Sequence, residues 1–292
     1  MTPLVTILPV ETPHAFLGVT RSATGKLWRD RLDARGAAQA LAIVQRYQLP
    51  EMLARIIAGR GIDIDAVEDF LDPTIRKLLP DPSTVTQMEA AAKRIADAAV
   101  RGEKIAIFGD YDVDGATSAA LLAWHLRHCG LDPLIHIPDR IFEGYGPNVE
   151  AIRSLSARGA KLLVTVDCGT TSIEPLAEAR KLGMDVVVID HHQCGDELPA
   201  VNAIVNPNRP DYLSGLGHLA AVGLVFVTLV AVNRELRVRN FWTPERPELN
   251  LLDMLHHVAL GTVADVAPLL GLNRAFVAKG LLAMRRRDHI GH

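Results

Sequence analysis

Three aspartates stand at alternate positions directly after an apolar run in the segment IAIFGDYDVDG. They are Asp110, Asp112 and Asp114. Like charges this close repel one another unless a cation compensates them or the segment lies in open water. Carboxylate oxygens are ligands that Mg²⁺ and Mn²⁺ favour in proteins. The run therefore predicts a metal site at the end of a strand.

A calcium loop of the EF-hand type also begins with DxDxDG, and it is an alternative interpretation of this run. Such a loop needs a Glu at its twelfth position and a helix before its first residue. Here the twelfth position is Leu121, and the preceding segment has the pattern of a strand. The sequence therefore argues against a calcium loop.

Two later apolar runs carry ionisable side chains at the same point, where the run ends. KLLVTVD ends in Asp167, and DVVVID ends in Asp190, which His191 and His192 follow at once. The carboxyl ends of parallel strands meet at one edge of a sheet, where ligands bind. We therefore expect five carboxylates and two imidazoles in one crevice. That set is large enough for two ions, and paired ions hydrolyse phosphate esters in many enzymes.

The segments that position these residues alternate between strand and helix patterns, as in an α/β fold. From residue 104, apolar runs alternate with amphipathic segments, which predicts a parallel β-sheet flanked by helices, preceded by a helical N-terminal segment. The predicted strands are KIAIFG, PLIHIP, KLLVTVD, DVVVID and AIVN, and the predicted helices cover 116–128, 148–158, 172–182 and 219–233. The predicted divisions are a helical N-terminal region (1–95), the sheet domain (96–275) and the start of a connecting helix (276–292).

Four residues near the acidic run are candidates for binding a substrate. Gly115 opens a predicted helix, so N–H groups at that helix end can bind a phosphate oxygen. Thr117 and Ser118 add hydroxyl donors, although plain N-capping explains them equally well. Tyr145 stands between two glycines in EGYGPN, which is either a loop facing the substrate or an ordinary turn.

Composition limits the class of protein. The chain has 292 residues, of which 49% are hydrophobic and 22% charged, and these are values of globular domains rather than disordered chains. The net charge of −3 lacks the basic excess of general nucleic-acid binders. Two groups of basic residues are either solvated helix faces or guides for phosphates: Arg234, Arg237 and Arg239, and Arg274, Lys279 and Arg285–Arg287.

The cysteine content and the hydropathy of the chain indicate its cellular compartment. Three cysteines without CxxC spacing fit a reduced cytoplasmic interior better than a disulfide framework. The N-terminus, MTPLVTILPVETPHAF, lacks a basic region followed by a continuous apolar one, so no signal peptide is predicted. The longest apolar stretch, 219–232, is too short to cross a bilayer and predicts a buried helix, so no membrane partner is expected.

The motifs, taken together, resemble a known family. DYDVDGATS, TVDCGTTS, VIDHHQ and GTVADVAPL are similar, in this order, to the four motifs of the DHH phosphoesterase superfamily. The helical lead-in LPEMLARIIAGRGI…AVEDFLDPTIRKLLPDP resembles the RecJ group of single-strand-specific DNA exonucleases within it. By this resemblance the sheet domain (96–275) is the DHH domain.

The resemblance implies a role for each motif residue. The implied ligands of two Mn²⁺ or Mg²⁺ ions are Asp112, Asp114, Asp167, His191 and Asp265, with Asp167 as the bridge between the ions. His192 would support the ligands or contact the scissile phosphate, and Asp110 and Asp190 would orient ligands or waters. Asp265 rests on the resemblance alone, because its spacing does not distinguish it from any helix-terminal Asp.

The implied activity is 5′ to 3′ hydrolysis of single-stranded DNA in recombination and repair, with a single-strand-binding protein as a further partner. The DHHA1 and OB domains of the RecJ group would follow residue 292, so we expect a truncated chain that holds the catalytic half. Two alternatives stay open: a DHH phosphoesterase acting on short oligonucleotides, cyclic dinucleotides or polyphosphates, and a RecJ-like binding module without catalysis.

Overall fold

The computed structural model describes residues 15–211 and 215–287, and it divides the chain into two compact units, Met1–Leu71 and Asp72–His292. Most of the segment on which the signal-peptide prediction rests lies outside the described residues. So do residues 288–292 of the predicted connecting helix.

The first unit is helical, as predicted. Asp33 begins its first helix by accepting a hydrogen bond from the backbone N–H of Gly36 (2.7 Å), and Pro50 precedes the second. The helices bury a small apolar core that includes Ile43 and Ile57. Their bounds are α1 (Ala34–Tyr47), α2 (Glu51–Gly59) and α3 (Val67–Leu71), with short 3-10 turns at Phe16–Gly18 and Ile64–Ala66.

The second unit contains a five-stranded sheet and the helices that cover it. Its helices are α4 (Ile75–Leu78), α5 (Met88–Arg101), α6 (Val113–His128), α7 (Val149–Ala157), α8 (Ile173–Lys181), α9 (Ala221–Val238), α10 (Leu255–Ala264) and α11 (Gly271–Met284). Its strands are β1 (Ile105–Gly109), β2 (Leu134–His136), β3 (Leu162–Val166), β4 (Asp185–Ile189) and β5 (Ala203–Val205), and 3-10 turns lie at Pro82–Thr84 and Leu251–Met254. The predicted fold class and the predicted strands are confirmed.

All five strands are parallel, in the order β2-β1-β3-β4-β5. The chain leaves β1 towards β2 on one side and then returns to place β3 on the other side of β1. The carboxyl ends of β1 and β3 therefore border the point where the strand order reverses, which is where open α/β sheets bind ligands.

Both faces of the sheet are covered, so alternate strand residues enter two different cores. Ile105 and Ile107 pack in the layer of α5, α6 and α9, whereas Ala106 and Phe108 pack in the layer of α7 and α8. This burial on both faces explains the continuous apolar strands. Because α5 packs against α9 and β5, residues 72–95 belong with the sheet, although the sequence placed them in the N-terminal region.

The apolar stretch 219–232 forms most of α9, which is buried as predicted. Among the described helices, none has both the length and the apolar character that spanning a membrane requires.

Candidate metal centre

Three buried aspartates follow three neighbouring strands at one edge of the sheet. Asp110 follows β1, Asp167 follows β3 and Asp190 follows β4. The strand register pairs the last residue of β1 with the last residue of β3, and that residue with the last residue of β4. The next residue of each strand therefore reaches the same edge, as the sequence predicted.

Asp167 has a backbone conformation that is uncommon for a residue with a side chain. Its φ of 62° lies in the left-handed region, which Asp tolerates better than most residues. Its N–H still donates to the carbonyl of Ile189 (2.9 Å), so the strand pairing continues to this residue. Strained backbone of this kind clusters at functional sites.

The start of α6 positions the other two aspartates of the acidic run. Helix α6 begins at Val113 rather than near residue 116, because the Asp112 carboxylate caps it by accepting the N–H of Gly115 (2.9 Å). Asp114 therefore lies in the first turn and is buried. Its Oδ2 and Oδ1 accept the N–H groups of Ala221 (2.6 Å) and Val222 (2.9 Å), at the N-terminus of α9.

Two glycines let helices approach these aspartates closely. A Cβ at Gly115 would lie 2.5 Å from the carbonyl oxygen of Asp110, so only glycine fits where α6 crosses the end of β1. A Cβ at Gly261 of α10 would lie 3.0 Å from Oδ1 of Asp114 and would overlap the hydroxyl of Thr117. The glycine of the GTVAD segment thus allows α10 to pack against the start of α6.

The two histidines after β4 point towards the aspartates. Nε2 of His191 lies 3.2 Å from Oδ1 of Asp167 and 3.8 Å from Oδ2 of Asp114. Nδ1 of His192 lies 2.8 Å from Oδ1 of Asp190 and 3.9 Å from Oδ1 of Asp167. His191 therefore lies between a carboxylate that follows β3 and one in the first turn of α6.

The potential ligand atoms form three overlapping groups, each with its atoms within 4.8 Å of one another. Asp167 and His191 each belong to two of these groups, which places them at the centre of the site. The groups are Asp110, Asp112 and Asp167; Asp114, His191 and Asp265; and Asp167, His191 and His192.

Asp265 reaches this site from the C-terminal end of α10. A carboxylate at a helix C-terminus faces the negative end of the helix dipole, which is unfavourable. Asp265 therefore destabilises the end of α10, yet its carboxylate is among the potential ligand atoms. That mismatch is a local signal that could have pointed to Asp265 without any family resemblance.

Asp190 holds the loop of the two histidines. Its Oδ1 accepts the backbone N–H groups of His191 (2.8 Å) and His192 (3.1 Å), and its Oδ2 accepts the N–H of Thr170 (3.0 Å). Burial alone would raise the pKa of Asp190, but hydrogen bonds from His192 and Thr170 lower it to about 2. The same hydrogen bond to Asp190 raises the pKa of His192.

Two asparagines that the sequence interpretation missed support the same loop from the segment after β5. Asn206 donates to the carbonyl of His192 (3.0 Å) and to the hydroxyl of Thr170 (2.9 Å). Asn208 donates to the carbonyl of His191. The signal in the sequence was the segment NPN directly after a predicted strand.

Tyr145 lies at the side of the site. Its hydroxyl donates to the carbonyl of Asp167 (3.2 Å) and lies 3.2 Å from Nδ1 of His192. Burial, followed by the negative charges of Asp190 and its neighbours, raises the pKa of Tyr145. The neutral hydroxyl is therefore positioned beside the histidine.

Three of the predicted substrate-binding residues are directed inwards, and the structure does not support that role for them. The N–H of Gly115 donates to Asp112 rather than facing an open crevice. The hydroxyl of Thr117 donates to the carbonyl of Val113 (2.7 Å), and Ser118 is fully buried. Helix α6 starts earlier than predicted, so these positions lie within the helix and are buried.

Five residues of the two basic groups form ion pairs with carboxylates on the surface of the second unit. This pattern favours the solvated helix faces over guides for phosphates. The pairs are Arg234 with Asp81, Arg237 with Glu248, Arg239 with Asp97 and Glu235, Lys279 with Asp72, and Arg286 with Asp253.

The electrostatics of the acidic cluster fit a divalent cation. Burial, and then the charges of Asp114 and Asp112, raise the pKa of Asp167 to about 10; burial also raises the pKa of Asp114 to about 6 and that of Asp110 and Asp265. In the described part of the chain, the buried Oδ1 atoms of Asp110 and Asp167 accept no hydrogen bond, although Nε2 of His191 lies 3.2 Å from the latter. Carboxylate oxygens with imidazole nitrogens suit Mn²⁺ and Mg²⁺.

Comparison with known proteins points to one family. The model of the DHH family, N-terminal domain, matches residues 104–262, which lie inside the predicted sheet domain. The chain is 36% identical over 250 residues to the single-stranded-DNA-specific exonuclease RecJ of Bacillus subtilis, covering 86% of this chain and 30% of that protein. It is 39% identical over 241 residues to RecJ of Escherichia coli, covering 82% and 41%.

A solved structure agrees with these relatives. RecJ of Thermus thermophilus in complex with Mn²⁺ superposes with a TM-score of 0.67 at 30% identity, covering 84% of this chain and 33% of that one. The chain thus spans less than half the length of the relatives that it matches.

Proposed function

Since the chain belongs to the DHH family, we propose that it is a metal-dependent exonuclease that hydrolyses single-stranded DNA. The observation that carries this proposal is the convergence of five carboxylates and two imidazoles at the carboxyl edge of the sheet. The relatives named as single-stranded-DNA-specific exonucleases support the choice of substrate.

The proposed metal ligands are the side chains at the centre of the site: Asp112, Asp114, Asp167, His191 and Asp265. Asp167 would help to hold both of two Mn²⁺ or Mg²⁺ ions, because it belongs to two of the ligand groups and its carboxylate has two oxygens to offer. Asp110 lies beside the ligands, and we assign it to orienting them. When bound, the ions supply Lewis-acid stabilisation of the charge that develops on a phosphodiester.

The chain's own groups have complementary tasks. Asp190 keeps His192 positively charged over a wider pH range, which suits a group that contacts a phosphate oxygen or delivers a proton to it. The Tyr145 hydroxyl, 3.2 Å from Nδ1 of His192, fixes the orientation of that ring at the mouth of the site. The α9 N-terminus stabilises the charge of Asp114.

The cellular setting is proposed on the same basis. We place the activity in DNA recombination and repair, with 5′ to 3′ polarity and with a single-strand-binding protein as a further partner. The described thiols of Cys129, Cys168 and Cys194 are free, which supports a reducing cytoplasm.

The test is hydrolysis of a labelled single-stranded oligonucleotide with Mn²⁺, beside the matching duplex, a dinucleotide and a cyclic dinucleotide. We expect the single strand to be shortened from its 5′ end and the duplex to persist. Asp114→Ala and His191→Ala should each abolish the reaction, because each removes a proposed ligand. Asp132→Ala is the matched control, since this exposed residue precedes β2 at the opposite edge of the sheet.

The outcome separates the alternatives. Turnover of only the dinucleotide or cyclic dinucleotide would assign the chain to the small-substrate phosphoesterases of the superfamily. Binding of the single strand without turnover would identify a non-catalytic module. Full activity of Asp114→Ala and His191→Ala would show that the assigned site is wrong.

A further inference from the structure

Two large apolar side chains project into solvent from the loop between β2 and α7. Ile141 is 84% exposed and Phe142 is 87% exposed. Isolated exposed apolar residues are common on protein surfaces, so exposure alone says little. The contacts of the surrounding loop give this pair a more specific interpretation.

The loop holds the pair in a fixed turn. Oδ1 of Asp139 accepts the backbone N–H groups of Ile141 (2.8 Å) and Phe142 (3.1 Å), and the Asp139 carbonyl accepts the N–H of Glu143 (2.8 Å). The backbone under the apolar pair is already ordered, so its conformational entropy is not lost again when a ligand packs on the pair.

Glu143 anchors the turn to the sheet and to the next helix. Its Oε1 accepts the N–H of Asp139 (3.0 Å), while its Oε2 accepts from His136 at the end of β2 (2.8 Å) and from Asn148 at the start of α7 (3.1 Å). Both carboxylates of the loop are thus engaged within it.

The two ends of the turn reach the metal centre. The Arg140 guanidinium lies over the ring of Tyr111, 5.0 Å from its centroid, and Tyr111 directly follows Asp110. At the other end, the hydroxyl of Tyr145 lies 3.2 Å from Nδ1 of His192. Along the chain, Ile141 and Phe142 therefore lie between two residues whose side chains contact residues at the site.

We propose that Phe142, supported by Ile141, is a stacking platform for an unpaired base of the DNA strand that enters the metal centre. The inference rests on the proposed function and extends it, because it assigns a base-binding element to this chain. An aromatic ring stacks on any base and therefore needs no particular sequence. A base in a duplex is already stacked and paired, so the platform favours single strands.

The test compares equilibrium binding of a labelled oligothymidylate with that of an abasic oligomer of the same length, by fluorescence anisotropy without divalent metal. Phe142→Ala should weaken oligothymidylate binding about five- to tenfold and leave abasic binding unchanged. Phe142→Trp keeps a ring and should bind like the natural chain. Val238→Ala is the control. It removes an apolar side chain that is 75% exposed and lies about 25 Å along α9 from the first helical turn, which contacts Asp114. Its binding of both oligomers should equal that of the natural chain.

Three results would overturn the proposal: equal binding of both oligomers by the natural chain, no measurable binding of either, or a Phe142→Ala variant that binds oligothymidylate normally. A loss in Phe142→Ala that is as large on the abasic oligomer would also reject base stacking. Base-dependent binding that Phe142→Ala abolishes, in a chain that hydrolyses nothing with Mn²⁺, would support the platform and reject the nuclease function.

Discussion

Oδ1 of Asp190 lies 2.8 Å from Nδ1 of His192 and also accepts the backbone N–H of that same histidine. One carboxylate oxygen therefore fixes both the backbone and the ring of His192. Because the pKa of Asp190 is lowered to about 2 and that of His192 is raised, the pair is an ion pair over a range of pH. We therefore assign Asp190 to positioning His192 rather than to binding a metal ion.

Replacing Asp190 with Asn tests this role of Asp190. The amide removes the charge that stabilises protonated His192 and presents a donor towards either the Thr170 N–H or the histidine loop. We expect about a 100-fold loss of kcat and about a tenfold loss of Mn²⁺ affinity, measured by steady-state kinetics and calorimetry. Asp185→Asn, at the other end of β4, should keep normal kinetics. Unchanged kinetics in Asp190→Asn would contradict the assignment.

Much of the site could be predicted because it depends on local patterns. The residues after β1, β3 and β4 were identified from apolar runs that end in Asp, and the parallel arrangement then brings Asp110, Asp167 and Asp190 to one edge. The His191–His192 pair was found for the same reason.

The rest depends on packing between segments that are distant in the chain. Asn206 and Asn208 reach the histidine loop because β5 pairs with β4, a neighbour relationship that their own sequence does not encode. For Thr117 the sequence left substrate binding and N-capping open; the structure shows its hydroxyl donating to the Val113 carbonyl, within a helix that Asp112 caps.

Gly115→Ala tests the close packing of α6 on the end of β1. The added Cβ would lie 2.5 Å from the carbonyl oxygen and 2.7 Å from the nitrogen of Asp110, and backbone atoms move less easily than a side-chain end. We expect a loss of about 1–3 kcal/mol in the free energy of unfolding and a large loss of hydrolysis, because Asp110 and Asp112 are displaced from each other. Urea unfolding and kinetics provide the measurement.

Gly195→Ala is the control for that substitution. A Cβ at Gly195 has no other atom within 4 Å in the described structure, and its φ is not positive. Its stability and activity should match those of the natural chain. A Gly115→Ala variant with the same properties as this control would refute the packing argument.

Asp167→Asn should separate stability from metal binding. Asp167 is buried beside Asp112 and Asp114, so its negative charge is unfavourable without a cation, and Asn tolerates the same left-handed backbone. We expect the metal-free variant to be at least as stable as the natural chain. The natural chain should gain about 3 kcal/mol at Mn²⁺ concentrations near 100 times its Kd, and the variant should gain much less.

Thermal unfolding with a chelator and with Mn²⁺ measures both effects, and hydrolysis should be lost in the variant. Asp196→Asn changes an exposed acid and should keep the full Mn²⁺ effect. If Asp167→Asn retained that full effect, Asp167 would not be a ligand.

The last prediction concerns His125, a buried residue whose hydrogen-bond partner, Asn233, is not part of the acidic cluster. Its Nε2 lies 2.7 Å from Oδ1 of Asn233, and burial lowers its pKa from 6.5 to about 4. Between these values the unfolded chain binds a proton that the folded chain does not, so stability falls as the pH is lowered. The contribution is complete above about pH 6.5 and is lost below about pH 4.

The variant His125→Gln keeps a donor towards Asn233 but does not titrate, so it isolates this effect. Buried acids with raised pKa values act in the opposite direction, but they are present in both proteins and cancel in the difference. With a chelator present, the stability of the natural chain relative to the variant should fall by about 2 kcal/mol between pH 7 and pH 5, measured by urea unfolding. A difference that does not change with pH would mean that His125 has the same pKa in the folded and unfolded chains, so that the helix interface around Asn233 accommodates the charge.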